Sequence, residues 1–427
     1  MNSKTILLVV FFIISFMNIT AQQEKEPLDS LIVKAIQVSP KIKMLKSKFD
    51  LAKSSIEIGT NLADPVLTLG LVNMPTNSFS FTQEPMTGKI VGLSQAIPFP
   101  GALSSASDVK SVDTLIVEQE ISDLQNKIRK DVSDLYFSLQ VIREDIRLSR
   151  ESIELLKQIS NVVKRKYEVG NASLQNIIQV EVQITRVKDK LETLKGKEQS
   201  ATAKLNALLL RVEDSAVLTD RITPIISYNV KSDSLLKIAK LNRPLLQKIK
   251  FGELKAQFMK EQAEYAYYPN FRLGLQYSQR DYNAKTGTNF SDLLSVVVGI
   301  TIPINYGGNK TEQVNKSIYL QSFYNDQYNS ALQDLQHSFG DINAKISELE
   351  NRESLIIESL LPQAEQAYKA SIADYQVGKI DFVNVIKAED DILNIKTELA
   401  KVRVDYSKSI SQLEFLSGKQ LTSKENK

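Results

Sequence analysis

The chain is 427 residues long, and its 53 basic and 50 acidic residues leave a formal charge of +3, too near balance to make an electrostatic case for nucleic acid. It contains no Cys, no Trp and one His, which excludes disulfides, thiolate catalysis and cysteine-based metal sites. Two or three ordinary domains could fit this length, but the pattern along the chain favours one protomer built twice from a unit of about 200 residues.

Residues 1–21 have the order of a signal peptide: Lys4, an apolar run from Ile6 to Phe16, then Thr20-Ala21, with cleavage expected after Ala21. The apolar run is shorter than the roughly 20 residues a membrane span needs. No Cys follows, so lipidation is not expected. Beyond residue 21 no run of 18 apolar residues occurs, so any insertion into a bilayer must be as strands.

The first repeat is placed at 22–222. Apolar residues recur at helical spacing over Asp29–Val38 and Lys41–Leu62, with a break at Pro40. After Pro65 the period changes to two, with Leu67, Leu69 and Leu71 on one face, which predicts a strand at about 65–73. A polar loop leads to a second strand at about 89–97, ending in Pro98-Phe99-Pro100-Gly101. A helical hairpin is expected over about 102–210. Its first seam is Leu135, Leu139, Ile142, Ile146, Ser149, Ile153, Leu156, Ser160 and Val163, and its second runs from Ile177 and Val180 to Leu205 and Leu208. Gly170-Asn171 makes the turn. The return helix is shorter than the outgoing one, and the Lys41–Leu62 helix stacked end to end with it would fill the difference.

The second repeat, 223–427, restarts the pattern after a linker. Asp29 to Leu71 returns as Asp233 to Leu275 at a gapless offset of 204, pairing Pro40 with Pro244, Pro65 with Pro269 and Gly70 with Gly274. Strands are predicted at about 269–279 and 292–303, with Leu273, Val296 and Val298 on the apolar face, and a helical hairpin at about 308–417 with its seam at Tyr328, Leu332, Leu335, Phe339, Ile342, Ile346, Leu349 and Ile356. Tyr167-Glu168-Val169-Gly170 is echoed by Tyr375-Gln376-Val377-Gly378. Four amphipathic strands with no other sheet to cover them suit a membrane barrel, yet four cannot close one, so two or three chains must contribute.

These features resemble the TolC family of outer-membrane efflux ducts over essentially all of the mature chain. The resemblance rests on the duplicated strand starts at Pro65 and Pro269, on Ile97-Pro98-Phe99-Pro100-Gly101 with its counterpart Ile302-Pro303-Ile304-Asn305-Tyr306-Gly307, and on the two Tyr-x-x-Gly breaks. It implies a mainly α fold in which a trimeric α-barrel is continuous with a transmembrane β-barrel of twelve strands, four per chain, in the outer membrane. It also implies an exit duct serving an inner-membrane pump through a periplasmic adaptor (membrane fusion) protein, with no cofactor. Pro-Phe-Pro-Gly is similar to members paired with heavy-metal pumps; heavy-metal ions or drugs are the expected solutes, with secreted proteins left open as an alternative cargo.

The family's closed gate carries acidic residues six and nine positions after the second glycine. Here those positions hold Asn384 and Lys387, and after the first glycine Asn176 and Gln179, a departure that makes the expected aperture Asn176, Gln179, Asp381, Asn384 and Lys387. Lys387 is expected to pair with Asp381 or Glu389, since like charges on a threefold axis repel. Adaptor docking is expected at Tyr167, Val169, Gly170, Tyr375, Val377 and Gly378, on the argument that a Gly ending a long helix exposes unpaired carbonyls. An exported coiled-coil scaffold or adhesin would satisfy the heptads but not the strands. An enzyme is not expected: His337 reads as a lone helix-surface residue, Asp390-Asp391 as a solvated face, and no metal-ligand set appears.

Overall fold

The structure, a computed structural model, describes residues 27–421 apart from positions 59 and 229; the expected signal segment lies outside the described residues. The first repeat forms α1 (Leu28–Val38), α2 (Pro40–Ile58), β1 (Val66–Val72), β2 (Gly88–Ile97), α3 (Ala102–Glu168) and α4 (Leu174–Leu208). The second forms α5 (Ser232–Asn242), α6 (Pro244–Glu264), β3 (Phe271–Gln279), β4 (Leu293–Ile300), α7 (Asn309–Leu355), α8 (Leu361–Gln376) and α9 (Phe382–Ser417). Pro40 and Pro244 each open a helix at the first position, where a missing N–H costs nothing.

The helix α3 is unbroken for 67 residues, about 100 Å at 1.5 Å per residue, and α1, α2, α4, α6 and α9 all pack along it. Its seam residues Leu139, Ile146, Ser149, Ile153, Leu156, Ser160 and Val163 are buried, with Leu135 and Ile142 partly covered. The helix α7 differs from its duplicate. After 47 residues it passes through a π turn, Ile356–Leu360, before α8 begins, a break that the even seam gives no hint of. Pro362 is the cause: it has no N–H for the Glu358 carbonyl, and Leu361 instead donates to Ile356 five residues back, widening the turn.

The duplicated helices α2 and α6 lie differently. Lys48 of α2 and Lys248 of α6 both reach Glu120 on α3, at 2.6 and 3.2 Å. The second of the pair, α6, is also wedged against α7, and Gly252 makes that possible, because a Cβ there would run into the Tyr324 ring. In contrast, α2 has its substantial packing among the described elements along α3 and leaves Met44, Leu51 and Ile58 exposed. Between the repeats, the linker is held down by buried Glu353, which accepts from the Ile225 N–H and pairs with Arg403 at 2.5 Å.

The four strands form one antiparallel sheet in sequence order, β2 pairing with β3 across the repeats. Register carries single rows across all four strands: Leu67, Leu93, Leu275 and Val296 form one, and Leu69, Val91, Tyr277 and Leu294 the next. Leu273 stands opposite Val298 on the same face. These side chains are exposed, Val296 at 67% and Val298 at 64%, so the sheet shows an apolar band that none of the described residues covers. On the other face one row is small and polar throughout, Thr68, Gly92, Gln276 and Ser295, while the rows beside it mix Ser94 and Gly274 with Val66 and Val297, and Gly70 and Ser278 with Ile90 and Leu293.

Candidate functional site

The end of the molecule away from the sheet is formed by the turns after α3 and α8, and both close in the same way. Gly170 and Gly378 share φ of +76°, a left-handed conformation that costs a side chain energy and costs Gly little. The Gly170 and Asn171 N–H groups donate to Tyr167 and Lys166 carbonyls at 2.9 and 2.8 Å, and Gly378 and Lys379 donate to Tyr375 and Asp374 at 3.1 and 2.9 Å. Helix-end carbonyls are therefore occupied, which corrects the expectation that they stand open as a docking edge.

The two Tyr residues also part company. Tyr167 is 45% exposed, whereas Tyr375 is 8% exposed, so its side chain is not available to an incoming partner. Tyr375 is covered because its ring centroid lies 5.0 Å from Phe382 while Lys166 Nζ sits 4.6 Å above it. Lys166 Nζ also donates to the Tyr375 and Gln376 carbonyls, tying the first tip to the second. Beneath them Ile153, Leu156, Ile159 and Val163 of α3, Val180, Ile184 and Val187 of α4, and Phe382 and Val385 of α9 make one shared core. Val169 and Val377 remain equivalent, each 68% exposed, beside Gly170 and Gly378.

Of the five expected aperture residues, Asn176 is half-buried, accepting from Ser173 Oγ at 3.0 Å and donating to Tyr375 Oη at 3.5 Å. Gln179 is half-buried one turn on, and Asp381, Asn384 and Lys387 are exposed at the start of α9. The Asn384 N–H donates to the Asp381 carbonyl at 3.1 Å, bringing those two together, but Asp381 makes no side-chain cap. Among the described residues Lys387 has no ion-pair partner within the protomer. Glu389 does not serve: it is 3% exposed and accepts from Ser152 Oγ on α3 at 2.5 Å, facing the core. Burial pushes its carboxyl up to about 6, against the lowering effect of the Ser152 hydrogen bond and with a further push from Asp390. The spacing Phe382, Val385, Glu389, Leu393 on one helical stripe is the sequence signal that places Glu389 inside.

His337 sits on the α7 surface with Nδ1 3.2 Å from Asp341. Among the described residues no group of three or more His, Asp or Glu is arranged to hold a metal ion, and no helix is long and apolar enough to cross a membrane. The arrangement offers an apolar sheet face at one end and, at the other, a helical tip held together by inter-repeat contacts.

The sequence profile of the outer membrane efflux protein family matches residues 31–209 and 235–419. The chain is 29% identical over 138 residues to the outer membrane protein TolC of Escherichia coli, a match covering 30% of this chain and 27% of that protein. It is 22% identical over 334 residues to the probable outer membrane lipoprotein SilC of Salmonella typhimurium, covering 75% of this chain and 69% of SilC. In fold it is similar to the outer membrane protein VceC of Vibrio cholerae, with a TM-score of 0.76 at 17% identity over 92% of this chain and 96% of that one.

Proposed function

Because this chain belongs to the outer membrane efflux protein family, we propose that three copies build its passive exit duct, a twelve-stranded barrel in the outer membrane continued by a helical barrel in the periplasm. The exposed apolar rows of the sheet then face lipid, and the alternate rows face the lumen.

The observation that carries the threefold reading is the unequal environment of α2 and α6. The latter fills the groove between α3 and α7 of its own chain, while α2 has α3 on one side and an open flank bearing Met44, Leu51 and Ile58. A neighbouring copy supplies the missing α7, whose Tyr319 and Phe323 are likewise exposed at 70% and 57%. The same neighbour pairs its β4 with the free edge of β1, removing edges that lipid would leave unsatisfied. Duplication thus makes the contact between chains a copy of the contact within one.

No chemistry is asked of the chain itself. An inner-membrane pump supplies energy and substrate choice, whether metal ion or drug, and a periplasmic adaptor reaches the helical tips around Val169 and Val377. Native mass measurement in mild detergent tests the assembly: a three-chain species is expected, and a stable monomer with a closed barrel would sink it. A coiled-coil scaffold or adhesin would leave no reason for the apolar rows to align across all four strands.

A further inference from the structure

The lumen-side rows of the sheet carry a polar row, Thr68, Gly92, Gln276 and Ser295, with Ser94, Gly274 and Ser278 beside it and Val66, Ile90, Leu293 and Val297 interspersed. Among the paired positions on this face, one side chain is charged: Arg272. It stands between Ala96 on β2 and Gly299 on β4, neither of which has a side chain long enough to screen it. Arg272 is exposed, and among the described residues no carboxylate or carbonyl engages its guanidinium. Its direct cross-strand neighbours, Ala96 and Gly299, are small and neutral, and among the described residues it closes no ion pair.

Its position is well fixed. Two residues earlier, Asn270 and Thr301 bind each other twice through the backbone and the Thr hydroxyl, at 3.0 and 2.8 Å, and Asn270 Oδ1 accepts from the Phe99 N–H at 3.1 Å. These bonds hold the start of β3 to the ends of β2 and β4, at the mouth where the sheet meets the helices. We propose that Arg272, repeated by threefold symmetry, forms a cationic collar at this mouth that binds anionic solutes bearing phosphate or carboxylate groups as they pass. The proposal rests on the trimeric duct described above.

Simple geometry supports a collar rather than three isolated charges. Twelve strands spaced about 4.8 Å apart and tilted by about 40° close at a Cα radius of roughly 12 Å. Side chains extending inward from that radius leave a solute on the axis within about one screening length, ~8 Å at physiological salt, of all three guanidinium groups. The low-dielectric wall concentrates their field, and a planar guanidinium matches the paired oxygens of phosphate or carboxylate. Such a collar would favour anions at a level of the duct far from Lys387 at the tip.

Because the chain has no cysteine, single substitutions can be labelled uniquely. Purified full-length trimer carrying Arg272→Cys should react with a membrane-impermeant maleimide, while Val298→Cys should stay protected in lipid vesicles. In planar bilayers, inorganic pyrophosphate should reduce the wild-type current, and Arg272→Gln should raise the half-blocking concentration about tenfold, as expected for loss of charge-assisted pairs. Arg272→Glu should move the reversal potential in a KCl gradient toward cations. Protection of Arg272→Cys would overturn the face assignment. Labelling together with unchanged block and reversal potential in Arg272→Gln would overturn the collar. Failure of wild-type protein to form trimeric channels would instead tell against the duct reading.

Discussion

Lys166, on the first helical tip, reaches the second: its Nζ lies 3.0 Å from the Tyr375 carbonyl, 2.8 Å from that of Gln376 and 4.6 Å from the Tyr375 ring centroid. A single cation thereby meets the negative end of one helix and the face of an aromatic ring from the other repeat. The contact is part-exposed, so water competes for it and its strength is about 1 to 2 kcal/mol.

Lys166→Met keeps the aliphatic stem but removes the charge. It is expected to let the two tips part more easily and to raise single-channel open probability roughly tenfold, the equivalent of about 1.4 kcal/mol. Dwell times equal to those of wild type would mean that closure is held elsewhere.

Glu389 gives a pH dependence with a definite sign. Burial raises its folded-state value from 4.5 to about 6, so the folded chain holds this proton more tightly than the unfolded one. The group is neutral and without penalty below about 4.5; as pH rises through 6 its ionisation costs up to about 2 kcal/mol. Glu389→Gln should therefore increase hydrogen-exchange protection around Ser152 and Glu389 at pH 7.5 and change it little at pH 4. Equal protection at pH 7.5 would show that the carboxylate is solvated in the trimer.

Leu273 and Val298 face each other on the apolar side of β3 and β4. Val298→Leu should leave the yield of trimer in the outer membrane unchanged, whereas Val298→Arg puts a charge into hydrocarbon at about 2 to 4 kcal/mol per site. Normal insertion of the Arg variant, measured by trimer bands in membrane fractions, would place that row away from lipid.

At the tip, Lys387 is exposed and has no ion-pair partner among the described residues of its own chain; in the proposed trimer, three such ammonium groups would stand near one axis. Lys387→Glu is expected to reverse the ion preference contributed by the tip in bilayer recordings. Unaltered conductance and preference would place Lys387 outside the lumen.

Val169 and Val377 are the exposed, equivalent members of the two turns, and Tyr375 is not. Asp at both Val positions should leave folded trimer in the outer membrane while cutting co-purification with the adaptor by at least an order of magnitude, as expected for charge placed in an apolar contact. Full recovery of the adaptor would reduce these residues to turn formers.

Most of this architecture is written in local periodicity. The switch from 3.6 to 2 after Pro65 and Pro269 marks the strand starts, the stripe from Leu139 to Val163 marks the buried seam of α3, and the glycines of the two Tyr-x-x-Gly breaks take the left-handed turns that residue type requires. The resemblance to the family rests on these same patterns in order, twice, and the family profile over residues 31–209 and 235–419 shows the membership. The inequalities between the copies came only from tertiary contacts. Identical motifs leave Tyr167 exposed and Tyr375 buried because Phe382 and Lys166 happen to cover the second. Glu389, chemically a surface residue, is buried because Ser152, 237 positions away, meets it across the repeats. Likewise α2 and α6 share a sequence ancestry, but only α6 finds α7 beside it in the same chain. A helix's own sequence determines which stripe it can bury; what buries it depends on which distant element the fold brings alongside.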